Sequence, residues 1–180
     1  MNKLITLLLL TLTPTLSLAD KKGYFYGVKF DHKDSKTDSN TLGVEYGKHI
    51  HDCLDIKVST NHTDKKDTSR FEIGPKFKHK FNKDWSSSLY VAIGQKFTTY
   101  DNNSYWVMTP GIKKKINEDW SLGTSIRFRD SVDTSLEQSD RTYGIKLVKH
   151  WQDFTVSTRY RMKRGDSNYN AIGVGLKYEF

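Results

Sequence analysis

The feature that most constrains the fold of this chain is a repeat of short turns. Four stretches run from a Gly through basic positions into a turn that carries an Asp, and they cover 43–54, 74–85, 111–120 and 144–154. An apolar residue precedes each turn and an apolar or aromatic residue follows it. Such a unit, recurring with a period of a little over thirty residues, is typical of repeated β-hairpins.

Longer polar segments separate these turns, at 33–40, 63–69, 98–104, 131–139 and 165–168. Short turns that alternate with longer loops are the pattern of an outer-membrane barrel. The segments between them predict ten strands: 23–32, 41–50, 54–62, 70–81, 85–97, 105–116, 120–130, 141–151, 154–163 and 169–180. Each is close to the ~9–11 residues that a tilted strand needs to cross a bilayer. We therefore expect an all-β fold, a transmembrane antiparallel up-and-down barrel of about ten strands, in preference to twelve or eight.

Alternate residues of the predicted strands separate an apolar face from a basic one. Leu122, Ile126 and Phe128 alternate with Arg127 and Arg129, for example. Aromatic residues also fall near both ends of the strands, as in the two interfacial girdles of a membrane barrel: Phe81, Trp85, Trp120, Trp151, Phe154 and Tyr178 near the turns, and Phe30, Phe71, Phe97, Trp106, Phe128 and Tyr160 near the loops. A soluble sandwich or lipocalin-like barrel would use similar strands but not these two belts.

Two prolines fall inside predicted strands, where a closed barrel offers no free edge. Pro75 and Pro110 each adjoin a glycine, Gly74 and Gly111. A local bulge is the expected accommodation.

The face opposite the apolar one is predicted to line the lumen, and its charge is strongly positive. Its cations are Lys29, Lys57, Arg70, Lys76, Lys78, Lys80, Lys96, Lys113, Lys115, Arg127, Arg129, Lys146, Arg159, Arg161, Lys163 and Lys177, and its acids are Asp31, Glu45, Asp55, Glu72 and Glu179. About eleven cations therefore lack a matching acid. Because burying an unpaired charge costs several kcal/mol of folding free energy, the lumen must be hydrated, filled by anions, or both. The plainer alternative is that these side chains only solvate a closed lumen.

Arginines spaced two apart on alternate strands suit carboxylates, which a guanidinium can bind through two hydrogen bonds. The residues predicted to contact solute in the lumen are Arg127, Arg129, Arg159, Arg161, Lys163, Lys96, Lys113, Lys76 and Lys78. A pore lined in this way selects anions by its field and holds each one weakly. The net charge of +8 and the pI near 9.4 do not indicate nucleic-acid binding, since the cations are segregated to the lumen.

The first nineteen residues are predicted to be a cleaved signal peptide, which leaves residues 20–180 as the barrel. Lys3 supplies a positive start, 4–12 an apolar core too short to span a bilayer as a helix, and 17–19 a small-x-small cleavage site. Cys53, the single cysteine, cannot form an intramolecular disulfide. We expect it to be a tolerated small residue.

Several of these segments resemble the small monomeric porins for acidic oligosaccharides, the KdgM-like family specific for oligogalacturonate and sialic acid. The residues that carry the resemblance are those at 109–111, 119–122, 127–129 and 159–161, with the terminal Phe180. In that family inward arginine tracks line the pore, and the resemblance implies this role for Arg127, Arg129, Arg159 and Arg161. The family's barrels have twelve strands, whereas this chain has material for ten.

The predicted function is an outer-membrane channel for anionic solutes, with acidic oligosaccharides as one solute class. The main alternative is a closed surface barrel with a structural or adhesion role. A lipid A-modifying enzyme ranks third, because His32 and His62 near the loops have no compelling Ser and acid spacing. We expect no enzyme activity, no cofactor and no metal; His49, His51 and His150 near the turns lack the spacing of a metal site.

The expected surroundings follow from the same pattern. The barrel would lie in the outer membrane of a Gram-negative bacterium, with both termini in the periplasm and lipid and lipopolysaccharide around it. Phe180 would be the signal read by the barrel assembly machinery. We expect a monomer.

Overall fold

The computed structural model describes residues 23–34, 38–64, 67–99, 102–133, 139–165 and 168–180. Ten strands run through these residues: β1 (Tyr24–Asp34), β2 (Ser39–His51), β3 (Leu54–Thr63), β4 (Thr68–Lys80), β5 (Trp85–Phe97), β6 (Asn102–Lys115), β7 (Trp120–Ser131), β8 (Ser139–Trp151), β9 (Phe154–Gly165) and β10 (Tyr169–Glu179). No helix long and apolar enough to cross a membrane occurs within the described ranges. The predicted signal segment, 1–19, lies outside them.

The sheet closes on itself as a barrel. Each strand pairs antiparallel with the next, and β10 pairs antiparallel with β1. At this seam the Tyr24 amide donates to the Phe180 carbonyl at 2.8 Å, and the Phe180 amide donates to the Tyr24 carbonyl at 2.9 Å. Closure pairs strand edges that would otherwise be exposed, which is what a sheet in lipid requires. The predicted ten-strand up-and-down antiparallel barrel is confirmed.

Side chains alternate between an apolar outer face and a polar inner face. Ile93, Ile172 and Trp151 point outward and are 67%, 66% and 69% exposed. Glu72 and Ser121 point inward and are 3% and 1% exposed. Large apolar side chains exposed all around a closed sheet are costly in water, so this outer face is that of a barrel surrounded by lipid.

The short turns repeat in structure as they do in sequence. Asn82 Oδ1 accepts hydrogen bonds from the amides of Asp84 and Trp85, both at 2.9 Å. Asn117 Oδ1 does the same for Asp119 and Trp120, at 3.0 and 2.8 Å. An Asn that binds backbone amides two and three residues on is a standard way to close a tight turn. These turns lie at the same mouth as Gly23 and Phe180, the first and last described residues; this mouth is here named the turn end, and the other mouth is the loop end.

The predicted bulges at the two prolines are wrong. Pairing of β4 with β5 is interrupted next to Pro75, and pairing of β6 with β7 next to Pro110, but on both sides of each gap the register is the same. A proline has no backbone N–H to donate, so the ladder loses one hydrogen bond there. The loss does not require an extra residue in the strand. The structure places a register shift instead at His49–His51. Gly74 is needed because β5 approaches closely: a Cβ there would lie 1.9 Å from the Val91 carbonyl oxygen.

Candidate functional site: a basic lumen

The inner face carries the predicted cations and two charged residues that sequence analysis missed. Lys33 and Asp140 are buried and line the inner face, at 9% and 7% exposure. Both had been assigned to loops, because β1 runs two residues further and β8 starts two residues earlier than predicted. The inner face therefore holds seventeen Lys and Arg and six Asp and Glu among the described residues.

The six acids each contact cations, and most are shared between two basic groups. In the loop-end half of the lumen, Arg159 and Arg161 bind Asp31, Arg127 binds Glu72, and Arg129 and Lys163 bind Asp140. We call this set the arginine belt: Arg127, Arg129, Arg159, Arg161 and Lys163 with Asp31, Glu72 and Asp140. All four arginines of the predicted tracks lie in it, and each of them already contacts an internal carboxylate.

Asp31 reaches the belt by crossing a neighbouring strand. It lies on β1, opposite Gly173 of β10, and Gly173 lies opposite Arg159 of β9. A Cβ on Gly173 would come within 1.9 Å of Asp31 Oδ1. Because glycine has no side chain, the Asp31 carboxylate has room to pass over β10 to Arg159. Arg159 donates from Nε and Nη2 to the two carboxylate oxygens at 2.7 and 2.9 Å, and Arg161 Nη2 is 2.7 Å from Oδ2. This three-residue contact depends on barrel closure, because β1 and β10 are at opposite ends of the chain.

The belt surrounds a narrow space. The cavity that its arginines line has a volume of about 140 Å³. Aromatic and apolar side chains of β5 and β6 fill the neighbouring part of the lumen: Tyr90, Ala92, Tyr105 and Val107 form a buried cluster. The Tyr105 hydroxyl donates to Glu72 at 3.0 Å and so ties that cluster to the belt. Arg70 also lines the cavity; its Nε is buried without a hydrogen-bond partner in the described part of the chain.

The turn end of the lumen is wide by comparison. A cavity of about 960 Å³ opens there between the turns. We call it the vestibule. The basic residues that line it are Lys76, Lys78, Lys80 and Lys113, with His49, His51 and His79. Lys78 and His49 contact Asp55 at 2.7 and 2.6 Å.

The structure thus divides the predicted solute-contacting residues into two groups. Arg127, Arg129, Arg159, Arg161 and Lys163 belong to the belt, and Lys76, Lys78 and Lys113 line the vestibule. Lys96 lies apart from both, on the inner face near the loop end, opposite Arg70 and Asn103. Sequence alternation found the lysines and arginines, but it gave no sign that single acids bridge two of them.

Of the two histidines near the loops, His62 contacts a serine and lies farther from a carboxylate. His62 Nδ1 lies 3.1 Å from Ser69 Oγ, its cross-strand neighbour, and His62 Nε2 lies 4.0 Å from Asp67 Oδ1. That last distance exceeds a hydrogen bond, and the Asp67 side chain is 80% exposed, so it does not hold the imidazole in place. Among the described residues, no group of three or more His, Cys, Asp and Glu side chains could hold a metal ion.

Comparisons with known proteins identify the fold. No protein-family model matches the chain, and no curated protein does. The KdgM porin solved in complex with disordered oligogalacturonate is similar with a TM-score of 0.53 at 14% identity, over 86% of this chain and 99% of that one. The NanC porin is similar with a TM-score of 0.56 at 9% identity, over 86% and 100%. A bacterial polysaccharide outer membrane secretin gives 0.54 at 10% identity, over 88% and 65%. The resemblance drawn from sequence is therefore confirmed at the level of fold: the chain is a barrel with structural neighbours in the KdgM and NanC porins.

Proposed function

We propose that this protein is an outer-membrane channel whose basic lumen conducts anionic solutes. One observation carries the proposal, the excess of cations on the inner face of the described strands. Lys76, Lys80, Lys113 and Lys146, for example, have no salt bridge to any acid within the described ranges. Cations turned into an enclosed space are stabilised by water and mobile anions, and a lumen that attracts anions and repels cations is an anion filter.

The belt is the proposed selectivity region. Its guanidiniums are held by Asp31, Glu72 and Asp140, so they are fixed in position and partly neutralised. A carboxylate or other anion passing through competes with these internal acids and is bound weakly, which conduction requires. Acidic oligosaccharides are the proposed larger solutes. The support for this class is the fold shared with a porin that was solved with oligogalacturonate.

The proposed setting is the bacterial outer membrane, with the turn end and both termini in the periplasm. This orientation rests on loop length, since short turns face the periplasm in barrels of this type. The proposed partners are lipid and lipopolysaccharide around the outer face, and the barrel assembly machinery through Phe180. We propose a monomer.

A closed surface barrel remains the second candidate, and the narrowness of the belt favours it. A cavity of about 140 Å³ holds only a few water molecules, at ~30 Å³ for each in the liquid. In this alternative the arginine and carboxylate groups simply fill a sealed lumen.

Single-channel recording in planar bilayers separates the two functions. The channel proposal predicts discrete current steps, and oligogalacturonate added on one side should interrupt them. Arg161→Ser is the informative variant, because Asp31 keeps its two bonds from Arg159 and the belt stays paired. Its matched control is Arg164→Ser, three positions along the same strand on the outer face. We expect weaker oligogalacturonate block in Arg161→Ser only; a protein that inserts but never conducts would establish the closed barrel.

A further inference from the structure

The turn-end half of the lumen contains a regular row of lysines that the belt does not use, and two of them, Lys80 and Lys113, line the vestibule. Lys80 on β4 lies opposite Ser86 on β5, and Ser86 lies opposite Lys113 on β6. The row continues through Gly123 on β7 to Lys146 on β8. Lysines therefore occupy every second strand and small residues the strands between. Neighbouring strands are ~4.8 Å apart, which sets the Lys80 and Lys113 backbones ~10 Å apart with the serine midway between them.

This spacing leaves room for one small group above the serine. Lysine side chains are long and flexible, so both ammonium groups can lean over the β5 strand from opposite sides. Ser86 contributes a hydroxyl donor at the floor. Lys80, Ser86 and Lys113 line both the vestibule and a second, adjoining cavity of about 310 Å³, so the space above them is open on two sides.

Neither lysine forms a salt bridge in the described part of the chain. Lys113 lies between neutral inner-face residues, Ser86 and Gly123. The inward carboxylate of Asp55 is held by Lys78 and His49. The other acids around the two cavities are Asp52 in the vestibule and Asp84 and Glu118 in the adjoining cavity. Two positive charges on either side of an unoccupied hydroxyl favour an anion with several oxygens and more than one negative charge. Lysine binds phosphate well as a point charge, whereas the forked guanidiniums that match a planar carboxylate lie deeper, in the belt.

From this arrangement we infer that Lys80, Ser86 and Lys113 form a binding site for phosphate-bearing solutes at the turn end of the barrel. The site is separate from the belt, and it does not depend on whether the lumen conducts. A phosphate group sits between the two ammonium groups and accepts the Ser86 hydroxyl. The rest of the solute occupies the vestibule, which is large enough for a small metabolite.

Isothermal titration of the purified protein in detergent tests the site, with tripolyphosphate as the probe. We expect binding that weakens at least fivefold in Lys113→Gln and in Lys80→Gln, and measurably in Ser86→Ala. Lys114→Gln is the matched control: it removes the same charge one residue away, from a side chain on the outer face over the Trp85 ring. Its affinity should equal that of the parent.

The outcomes that overturn the inference are distinct from failure of the channel proposal, because binding is measured without current. Equal affinities in Lys113→Gln, Lys80→Gln and Lys114→Gln would show that the probe binds elsewhere or only through overall charge. Citrate, which carries three carboxylates, is the competitor. If citrate binds as tightly as tripolyphosphate and is equally sensitive to Lys113→Gln, the site is a general anion site and the phosphate assignment is wrong.

Discussion

Replacing Asp31 with Asn tests how the belt is held together and what limits its affinity for solutes. The substitution keeps the shape of the side chain and removes its charge. In the parent, the Asp31 carboxylate accepts two bonds from Arg159 and a third contact from Arg161, at 2.7 to 2.9 Å. The Asp31 side chain is 5% exposed and that of Arg159 is 11% exposed. These contacts are therefore largely withdrawn from water.

The stability cost follows from this burial. Removing one partner of a buried ion pair costs ~3–5 kcal/mol, because the remaining charges are left uncompensated. The belt borders a cavity that admits water and the amide oxygen of Asn can still accept one bond, so we expect a loss near the lower end, about 3 kcal/mol. Urea unfolding of the protein in detergent, followed by tryptophan fluorescence, measures it. Asp34→Asn, on the outer face of the same strand, is the control and should change stability little.

The same substitution should strengthen solute binding. It releases two guanidiniums and adds one positive charge to the lumen. A hydrogen bond to a charged group is worth ~1.5–3 kcal/mol, so one recovered contact with a solute carboxylate corresponds to about tenfold tighter block by oligogalacturonate. If Asp31→Asn folds with parental stability, the three contacts do not hold the belt. If it is destabilised as expected but block is unchanged or weaker, the internal carboxylate does not compete with solute.

Three further predictions concern the glycine beneath the Asp31 carboxylate, the β1–β10 seam and the vestibule. Gly173→Ala should destabilise the barrel by about 1–3 kcal/mol in the same urea assay, since its Cβ overlaps the crossing carboxylate, whereas Gly123→Ala, whose Cβ has no neighbour within 3.5 Å, should not. Deleting Phe180 removes both backbone hydrogen bonds at that end of the β1–β10 seam and should lower the yield of the heat-modifiable folded form on gels; an unchanged yield would contradict this role. Cys53 lines the vestibule and should react faster with an anionic than with a cationic methanethiosulfonate, by a ratio above that of free cysteine and reduced by salt; an equal ratio would show that the vestibule has no positive field.

The number and order of the strands could be predicted from sequence because each turn carries its own signal. In two of the turns Asn82 and Asn117 act locally, through side-chain bonds to amides two and three residues away. Alternation then assigns each side chain to a face. The predicted strand starts on the turn side agree closely with the structure, and the errors concentrate at the loop end. There the polar sequence around Lys33 and Asp140 resembles that of a loop, yet the hydrogen-bond ladder continues through both residues.

The pairing inside the lumen could not be predicted in the same way. Arg159 and Asp31 are 128 positions apart and meet only because the barrel closes. The charge count from sequence correctly predicted an excess of cations on the inner face. It cannot show that one carboxylate contacts two of those cations. The prediction of bulges at the two prolines failed for a related reason. Whether a strand takes up an extra residue depends on the register of both neighbours, and the sequence around a proline carries no information about that register.

The most direct test of the central claim is the reversal potential of the protein in a planar bilayer under a potassium chloride gradient. The excess of inward lysine and arginine predicts a potential of the sign that chloride permeation gives, and this preference should shrink as salt rises, since the screening length falls to ~3 Å at ~1 M. Lys146→Gln, which removes an inward charge that has no salt bridge among the described residues, should reduce the preference, while Lys149→Gln on the outer face of the same strand should not. A potential of the opposite sign, or no current from correctly inserted protein, would contradict the account.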